Sequence, residues 1–328
     1  MKKWITFALA LVMALSLCAC AETEDPNTTD NSTTTNPSTV PSNTKTVTCL
    51  TSYTRSNAYG YPHKYEITYE TDGVHVKPPL HVIDDGNVYD WAGKLLHVLG
   101  YDENGKIIKR VDHSYDQNGN QTEILMTSLL DGFPPSRTRY AYDADGRLTS
   151  ISYDEADDLV YRTMLYFYDD RGFLKEAVDL YITEDGTTEE REKHVFTCDD
   201  SGKILTCERY DTFEEKSLLC TFVCTYDDQG RLISNVCNRG AAAFGASRYY
   251  TYDAQGRLSS FKLNEEVYLT YTYDDAGRLA KITDAATGWE TTLHYTEITL
   301  DAELAAKAEA WTLDGALKAF VETPEFVY

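Results

Sequence analysis

The sequence predicts an all-β chain: tandem β-hairpin repeats forming a long curled antiparallel meander, with a short C-terminal helix. Three observations carry that expectation. A motif of the form aromatic-x-Tyr-Asp-x-x-Gly-Arg-Leu recurs along the chain, tyrosine is abundant at 25 of 328 residues, and the best helical periodicity lies in residues 301–311.

The N-terminus reads as a processing segment outside that fold. Lys2 and Lys3 make a positive head, and Trp4 to Leu17 is an uncharged, mostly apolar run. The run is too short to span a bilayer comfortably, which favours a removed signal over a transmembrane helix. Leu17-Cys18-Ala19-Cys20 resembles the lipobox of bacterial lipoproteins, in which a branched apolar residue and two small ones precede the lipidated cysteine. Residues 1–19 are therefore expected to be a signal peptide. Cys20 is expected to carry the lipid that holds the protein, outside the cytoplasm, to a bacterial membrane or cell surface. Residues 20–46 are rich in Thr, Asn, Ser and Pro and offer almost nothing to a core, so they are expected to form a disordered tether.

Acidic residues outnumber basic ones 53 to 30, for a net charge of −23, and loss of Lys2 and Lys3 makes the mature chain more negative still. That field opposes nucleic acid and anionic headgroups, so no nucleic-acid partner is expected. Beyond Cys18 and Cys20 stand Cys49, Cys198, Cys207, Cys220, Cys224 and Cys237, with no CxxC pair and no histidine in zinc-like spacing. No metal or cofactor is expected, and most of these cysteines read as apolar strand residues.

The repeat dominates residues 97–296. Its clearest copies are YAYDADGRL (140–148), YFYDDRGFL (166–174), CTYDDQGRL (224–232), YTYDAQGRL (250–258) and YTYDDAGRL (271–279). FTCDDSGKI (196–204) is degenerate, and GYDENGKI (100–107) and SYDQNGNQ (114–121) precede them. From Gly119 onward the turn glycines are spaced by 27, 26, 30, 28, 26 and 21 residues, a loose period around one motif. The expected structural residues are Tyr142, Asp143, Gly146 and Arg147, then Tyr168, Asp169 and Gly172, then Asp199 and Gly202. They continue with Tyr226, Asp227, Gly230 and Arg231, then Tyr252, Asp253, Gly256 and Arg257, then Tyr273, Asp274, Gly277 and Arg278.

Each position has a physical task. Aromatic-x-aromatic places two large side chains on one strand face, and the small or β-branched residue between them faces the other way. The Asp bonds forward to the turn backbone, and Gly supplies the positive φ of a type I turn with a G1 bulge. The following Arg or Lys lies across from the Asp as a charge pair, with Asn120 and Phe173 as exceptions. With a second turn in each repeat, the chain reads as roughly fourteen to sixteen strands, about 70 Å wide if flat, and sheets that wide curl.

Tyr-Asp-x-x-Gly-Arg-Leu resembles the signature of the YD-repeat, or RHS-repeat, family over about residues 97–296. The resemblance implies hairpins laid side by side in a spiralling β-shell, which in large bacterial toxins encloses a C-terminal effector. This chain departs from that pattern. Its repeats are too few for a large capsule, no proline/aspartate release motif is found, and Asp301 to Tyr328 is a short segment rather than a toxin domain. The hairpin architecture is expected to transfer and the capsule role is not. MORN-type repeats are a weaker architectural alternative.

The flanks read as caps. Residues 47–96 alternate as strands, for example in HKYEITYETDGVHV (63–76), without a recognised Tyr-Asp motif, and form an N-terminal β-cap. Residues 297–328 form a C-terminal cap in which Asp301 N-caps a helix with Leu304, Ala308 and Trp311 as its apolar stripe.

No catalytic set stands out. The Asp-rich turns are too short to converge the six or more oxygens calcium takes, no carboxylate pair is singled out, and there is no G-x-S-x-G elbow. The expectation is a non-catalytic binding module for glycan or surface-protein partners, with the variable turns 184–192 and 238–247 as contact sites. A scaffold or spacer is the alternative. If the strand after Gly202 pairs with the one entering Gly230, Cys207 and Cys220 fall almost opposite each other, close enough to bond with slight strain.

Overall fold

The computed structural model describes residues 43–321, apart from 57–61, 80–83, 131–132, 156–158, 184, 213–216, 240–245 and 265. Cys20, the signal segment and most of the expected tether lie outside the described residues.

The described chain opens with β1 (Thr44–Ser56), β2 (Pro62–Glu70), β3 (Gly73–Lys77), β4 (Asp84–Tyr89), β5 (Leu95–Tyr101), β6 (Ile107–Tyr115) and β7 (Gln121–Ser128). It continues with β8 (Ser136–Tyr142), β9 (Leu148–Glu155), β10 (Leu159–Tyr168), β11 (Leu174–Ile182), β12 (Thr188–Cys198), β13 (Ile204–Asp211) and β14 (Ser217–Tyr226). The last strands are β15 (Leu232–Arg239), β16 (Arg248–Tyr252), β17 (Leu258–Leu263), β18 (Glu266–Tyr273), β19 (Leu279–Asp284) and β20 (Trp289–Asp301). A helical segment follows, comprising α1 (Ala302–Ala310), a wider turn at Trp311–Gly315 and α2 (Ala316–Phe320).

All 20 strands belong to one sheet, in which each runs antiparallel to its sequence neighbours. The expected curled meander closes on itself as a barrel. β20 returns to pair with β1 from Thr44↔Asp301 to Ser56↔Glu290, so neither end of the array is left as an edge. β1 starts inside the segment read as tether, and the expected N-terminal cap supplies the strands that close the ring. The sixteen strands from β5 to β20 match the roughly fourteen to sixteen expected of the repeats, and β1–β4 add the strands of the N-terminal segment.

Up-and-down topology sends successive turns to alternate ends. The turns after β4, β6, β8, β10, β12, β14, β16 and β18 all lie at one end, here called the motif rim, along with the start of β1 and the end of β20. GYDENGKI, at the β5–β6 turn, lies at the opposite rim. The Asp102 turn has the motif's hydrogen bonds but follows an odd-numbered strand.

The helical segment seals part of the motif rim. Asp301 N-caps α1 by accepting the Glu303 amide at 3.0 Å, as expected. Ala305, Ala308 and Trp311 are its fully buried residues, so the buried stripe runs through Ala305 where Leu304 was expected. Trp311 packs against Tyr69 and Tyr89, and Thr312 Oγ1 accepts the Leu50 amide at 3.3 Å beside a bulge in β1. The segment approaches the β4–β5 turn so closely that a Cβ on Gly93 would lie 2.9 Å from Gly315 Cα.

Packing differs around the ring. A large core joins Leu50, Tyr65, Ile67, Val74, Val76 and Tyr89 of the early strands to Tyr250, Phe261, Tyr271 and Leu279 of the late ones, with Trp311 among them. A smaller cluster on β11–β14 holds Ala177, Phe196, Cys207, Cys220 and Phe222. Strands β6–β10 contribute no buried hydrophobic side chain among the described residues. Their inward residues, such as Tyr140, Tyr153, Met164 and Tyr166, are half-buried.

Candidate functional site

From the β4–β5 turn to the β18–β19 turn the motif rim is a lattice with one unit cell per hairpin. At Asp253 the amide donates to the Arg257 carbonyl at 2.8 Å, and the Gly256 amide donates back to the Asp253 carbonyl at 3.0 Å. Asp253 Oδ1 accepts the amides of Gln255 and Arg257, while Oδ2 accepts Arg257 Nε at 2.7 Å. Asp143, Asp227 and Asp274 hold Arg147, Arg231 and Arg278 the same way. At Asp169 the ion pair comes from Arg171, since Phe173 stands where the arginine would be, and at Asp116 the Asn120 side-chain amide donates a neutral hydrogen bond instead. Backbone amides donated by Arg147 and Asp145 hold the Asp143 carboxyl below its ordinary value, and Asp116, Asp169 and Asp227 are lowered likewise.

Each arginine also reaches the next hairpin. Arg231, Arg257 and Arg278 stack over Tyr252, Tyr273 and Tyr295 at 4.2, 4.1 and 4.4 Å, and Arg147 lies over Tyr168 at 5.0 Å. Each tyrosine hydroxyl then donates to the first carbonyl of the preceding return strand: Tyr168 to Leu148, Tyr226 to Ile204, Tyr252 to Leu232 and Tyr273 to Leu258, at 2.7 to 2.9 Å. The reason lies in the ladder between hairpins. β13–β14 pairing starts only at Thr206↔Val223, so the Ile204 carbonyl near the turn needs another donor. Ala141, Thr197, Thr225, Thr251 and Thr272, between the paired aromatic positions, face outward and are exposed.

The opposite rim lacks such a lattice and carries apolar side chains into solvent. Leu129 and Phe133, between β7 and β8, are 56 % and 44 % exposed, and Leu159 and Tyr161, at the start of β10, are 70 % and 36 % exposed. Met126 on β7 and Ile107 on β6 extend the same arc. Below it, on the inner wall, Tyr140 sits among Tyr153, Tyr142, Tyr166 and Tyr115. Burial first, then those neighbours, push its hydroxyl up to about 12. A shallow groove of about 500 Å³ touches the same strands, lined by Ser114, Glu123, Arg139, Ser150 and Ser152 among others.

With this geometry in view, residues 252–288 match the model of the family described as RHS Repeat. Mouse Teneurin-3 is 25% identical over 210 residues, 63% of this chain and 7% of that protein, and human Teneurin-4 is 27% identical over 170 residues, 50% of this chain and 6% of that protein. The chain thus spans a small fraction of these curated relatives. Among solved structures, the Photorhabdus luminescens Tc holotoxin pore aligns at 16% identity, covering 76% of this chain and 17% of that one, with a TM-score of 0.26. A porin-like protein from Bacteroides uniformis aligns at 10% identity, covering 79% and 98%, with a TM-score of 0.34.

The chain thus carries an RHS, or YD-type, repeat at residues 252–288. Its RHS repeats begin earlier than the sequence reading placed them. Tyr89-Asp90-Trp91-Ala92-Gly93-Lys94-Leu95 forms the same turn, with Lys94 over Tyr115 at 5.1 Å and the Tyr115 hydroxyl on the Leu95 carbonyl, although residues 47–96 were read as free of the motif. The Tyr-Asp-x-x-Gly-Lys-Leu signal was there to be found.

The RHS barrel corrects the expected cysteine register. β13 and β14 pair as proposed, but Cys207 faces Phe222 and Cys220 faces Arg209, so the two thiols are diagonal neighbours and neither is in a disulfide. The Asp211↔Ser217 pairing beside the turn already puts Cys207 one residue off Cys220, and a register shift between Arg209 and Tyr210 adds the second. Burial pushes the Cys207 thiol well up, away from the thiolate, although His194 Nδ1 lies 4.0 Å from its sulfur. Of the variable turns expected to make contacts, residue 184 and residues 240–245 lie outside the described residues.

Sequence reasoning missed an inner belt of ion pairs between those thiols and β10. Arg162 forks onto Asp179 at 2.8 and 3.0 Å, and Arg209 forks onto Glu192 at 2.8 and 2.7 Å. Burial resists ionisation of Glu192, but hydrogen bonds from His194 and Arg209 outweigh it and hold the carboxyl at about 2. A carboxylate held that low and forked by a guanidinium is a poor general acid or base at neutral pH. No motif marks the belt, because each partner lies on a different hairpin strand.

Proposed function

We propose that the chain is a non-catalytic binding module at the cell surface, lipid-anchored through Cys20, which recognises protein partners at its opposite rim. The apolar arc of Leu129, Phe133, Leu159 and Tyr161 carries this reading. Soluble surfaces rarely leave such side chains together at adjacent strand ends unless something covers them. Orientation supports it. The described chain enters at Asn43, whose carbonyl accepts the Ala302 amide at 2.8 Å on the motif rim, so a tether from Cys20 reaches the barrel there and leaves the opposite rim facing outward.

A glycan reading draws support from the half-buried inner tyrosines, Tyr140, Tyr153 and Tyr166, which offer ring faces below the arc. The scaffold or spacer alternative predicts no saturable ligand. All three are separated by one screen of the purified mature domain against surface proteins and envelope glycans. The expected result is a protein ligand whose binding is lost in a Leu129→Asp, Phe133→Asp, Leu159→Asp triple variant that melts like wild type. Turnover of a glycan, peptide or ester, abolished by one carboxylate or serine substitution, would overturn the non-catalytic reading. Cys20→Ala should move the protein to the soluble or unprocessed fraction, and continued fatty-acid labelling of that variant would reject the anchor.

A further inference from the structure

The β2–β3 turn lies on the motif rim but is built without the lattice. Glu70 closes β2, Asp72 lies in the turn, and the register pairs Thr68 with His75 and Glu70 with Gly73. Glu70, Thr68 and His75 therefore share one face of the hairpin, and Asp72 joins them from the turn. One ligand atom from each of Glu70, Asp72 and His75 lies within 4.8 Å of the other two. His75 Nε2 stands 3.1 Å from Asp72 Oδ1, and Glu70 Oε1 accepts only a long contact, 3.5 Å, from Thr68 Oγ1.

The comparison with the neighbouring turns is informative. Asp143, Asp227, Asp253 and Asp274 are each neutralised by a guanidinium at their own turn. Among the described residues, no Lys or Arg forms an ion pair with Glu70 or Asp72, and an imidazole is the only basic partner. Two carboxylates and a nitrogen donor thus converge where the turns of Asp143, Asp227, Asp253 and Asp274 place a fixed cation.

We propose that Glu70, Asp72 and His75 bind a divalent transition-metal ion, with zinc the best match to the donor set. Zinc takes imidazole nitrogen and carboxylate oxygen at about 2.0–2.2 Å, so ligand atoms around it stand about 3.3 Å apart in a tetrahedron. The His75–Asp72 pair already has close to that spacing, and a rotamer change of Glu70 completes a three-ligand set with one open position. Calcium and magnesium are poorer matches because their ligands are oxygens. The backbone beneath is fixed: a Cβ on Gly73 would lie 2.1 Å from the Tyr89 carbonyl oxygen, so the turn is held against β4. The donors are exposed or half-exposed, so an ion can enter without unfolding.

The test is calorimetric titration of the metal-stripped mature protein with zinc chloride, with manganese and calcium chloride in parallel. One saturable zinc site per chain is expected, absent in Asp72→Asn and in His75→Ala and retained in the control Glu297→Gln. Zinc should raise the melting temperature of wild type and leave both variants unmoved. Acidification should weaken the site, because its ligands bind deprotonated. Should His75→Ala fail to fold, Glu70→Gln carries the test. Absence of saturable zinc binding to wild type overturns the proposal, and so does binding that persists unchanged in the variants, which would place the ion on the thiols or other histidines.

Discussion

At the turn after β16, Asp253 and Arg257 bond to one another and to the turn backbone, and Arg257 reaches the next hairpin at the Gly277 carbonyl and the Tyr273 ring. At the start of β10, on the other rim, Leu159 is 70 % exposed to water. Both places end strands of the same barrel. The difference teaches that the turn-to-turn lattice belongs to one rim: there the motif fixes the turn, then fastens it to its neighbour where the strand ladder opens, whereas the Asp102 turn on the other rim keeps only the local turn bonds. The other rim is free of that demand, and its residues are available for contact.

The largest way to break the comparison is to remove the segment that seals the fixed rim. Trp311 is fully buried against Tyr69 and Tyr89. Trp311→Ala should cost about 3–5 kcal/mol, read from the urea midpoint, because a large void is left at the centre of the seal. A loss below 1 kcal/mol would mean that the helical segment covers the rim without holding it.

A smaller effect is expected within the lattice. Tyr252→Phe keeps the ring beneath Arg231 and removes the donor to the Leu232 carbonyl, a loss of about 1 kcal/mol. The aspartates add a pH signature. The Asp143 and Asp227 carboxyls are held below their ordinary value when folded, so their contribution is fully present above that value and is lost as pH falls through the lowered one. The stability gap between wild type and Asp143→Asn should therefore narrow as pH drops below about 4. A gap that stays constant from pH 7 to pH 3 would show that the carboxylate's charge has no part in fixing the turn.

Much of the fixed rim was legible because its causes are local. Asp-x-x-Gly-Arg is a five-residue turn whose hydrogen bonds close on themselves, and Tyr-x at its start fixes a face. Closure was not legible. It depends on β1 meeting β20, a pairing of residues about 250 apart with no shared motif. The Arg257-to-Tyr273 contact was missed for a related reason, since it links one repeat to the next, and the inner Arg162–Asp179 and Arg209–Glu192 pairs are likewise set by register. Register, set by the turn pairing and a bulge together, is also what placed Cys220 off Cys207. The sequence pattern reports what a residue does to its own turn, and the barrel is decided between turns.

The smallest stability effect is expected where the functional effect should be greatest. Leu159 is 70 % exposed and joins no buried cluster, so Leu159→Ser removes little packing and should shift stability by no more than about 0.5 kcal/mol. The same change takes an apolar group out of the arc with Leu129, Phe133 and Tyr161, where an interface would bury it. Truncation of a well-packed anchor in a protein interface costs about 2 kcal/mol or more, roughly thirtyfold in affinity. Leu205 is a matched control: it is 38 % exposed but lies next to the motif rim on β13, so Leu205→Ser should leave partner affinity unchanged. Measured side by side, the two variants separate a specific contact surface on the opposite rim from a general dependence on exposed apolar area. Equal losses of affinity in both would reject the assignment of binding to that rim.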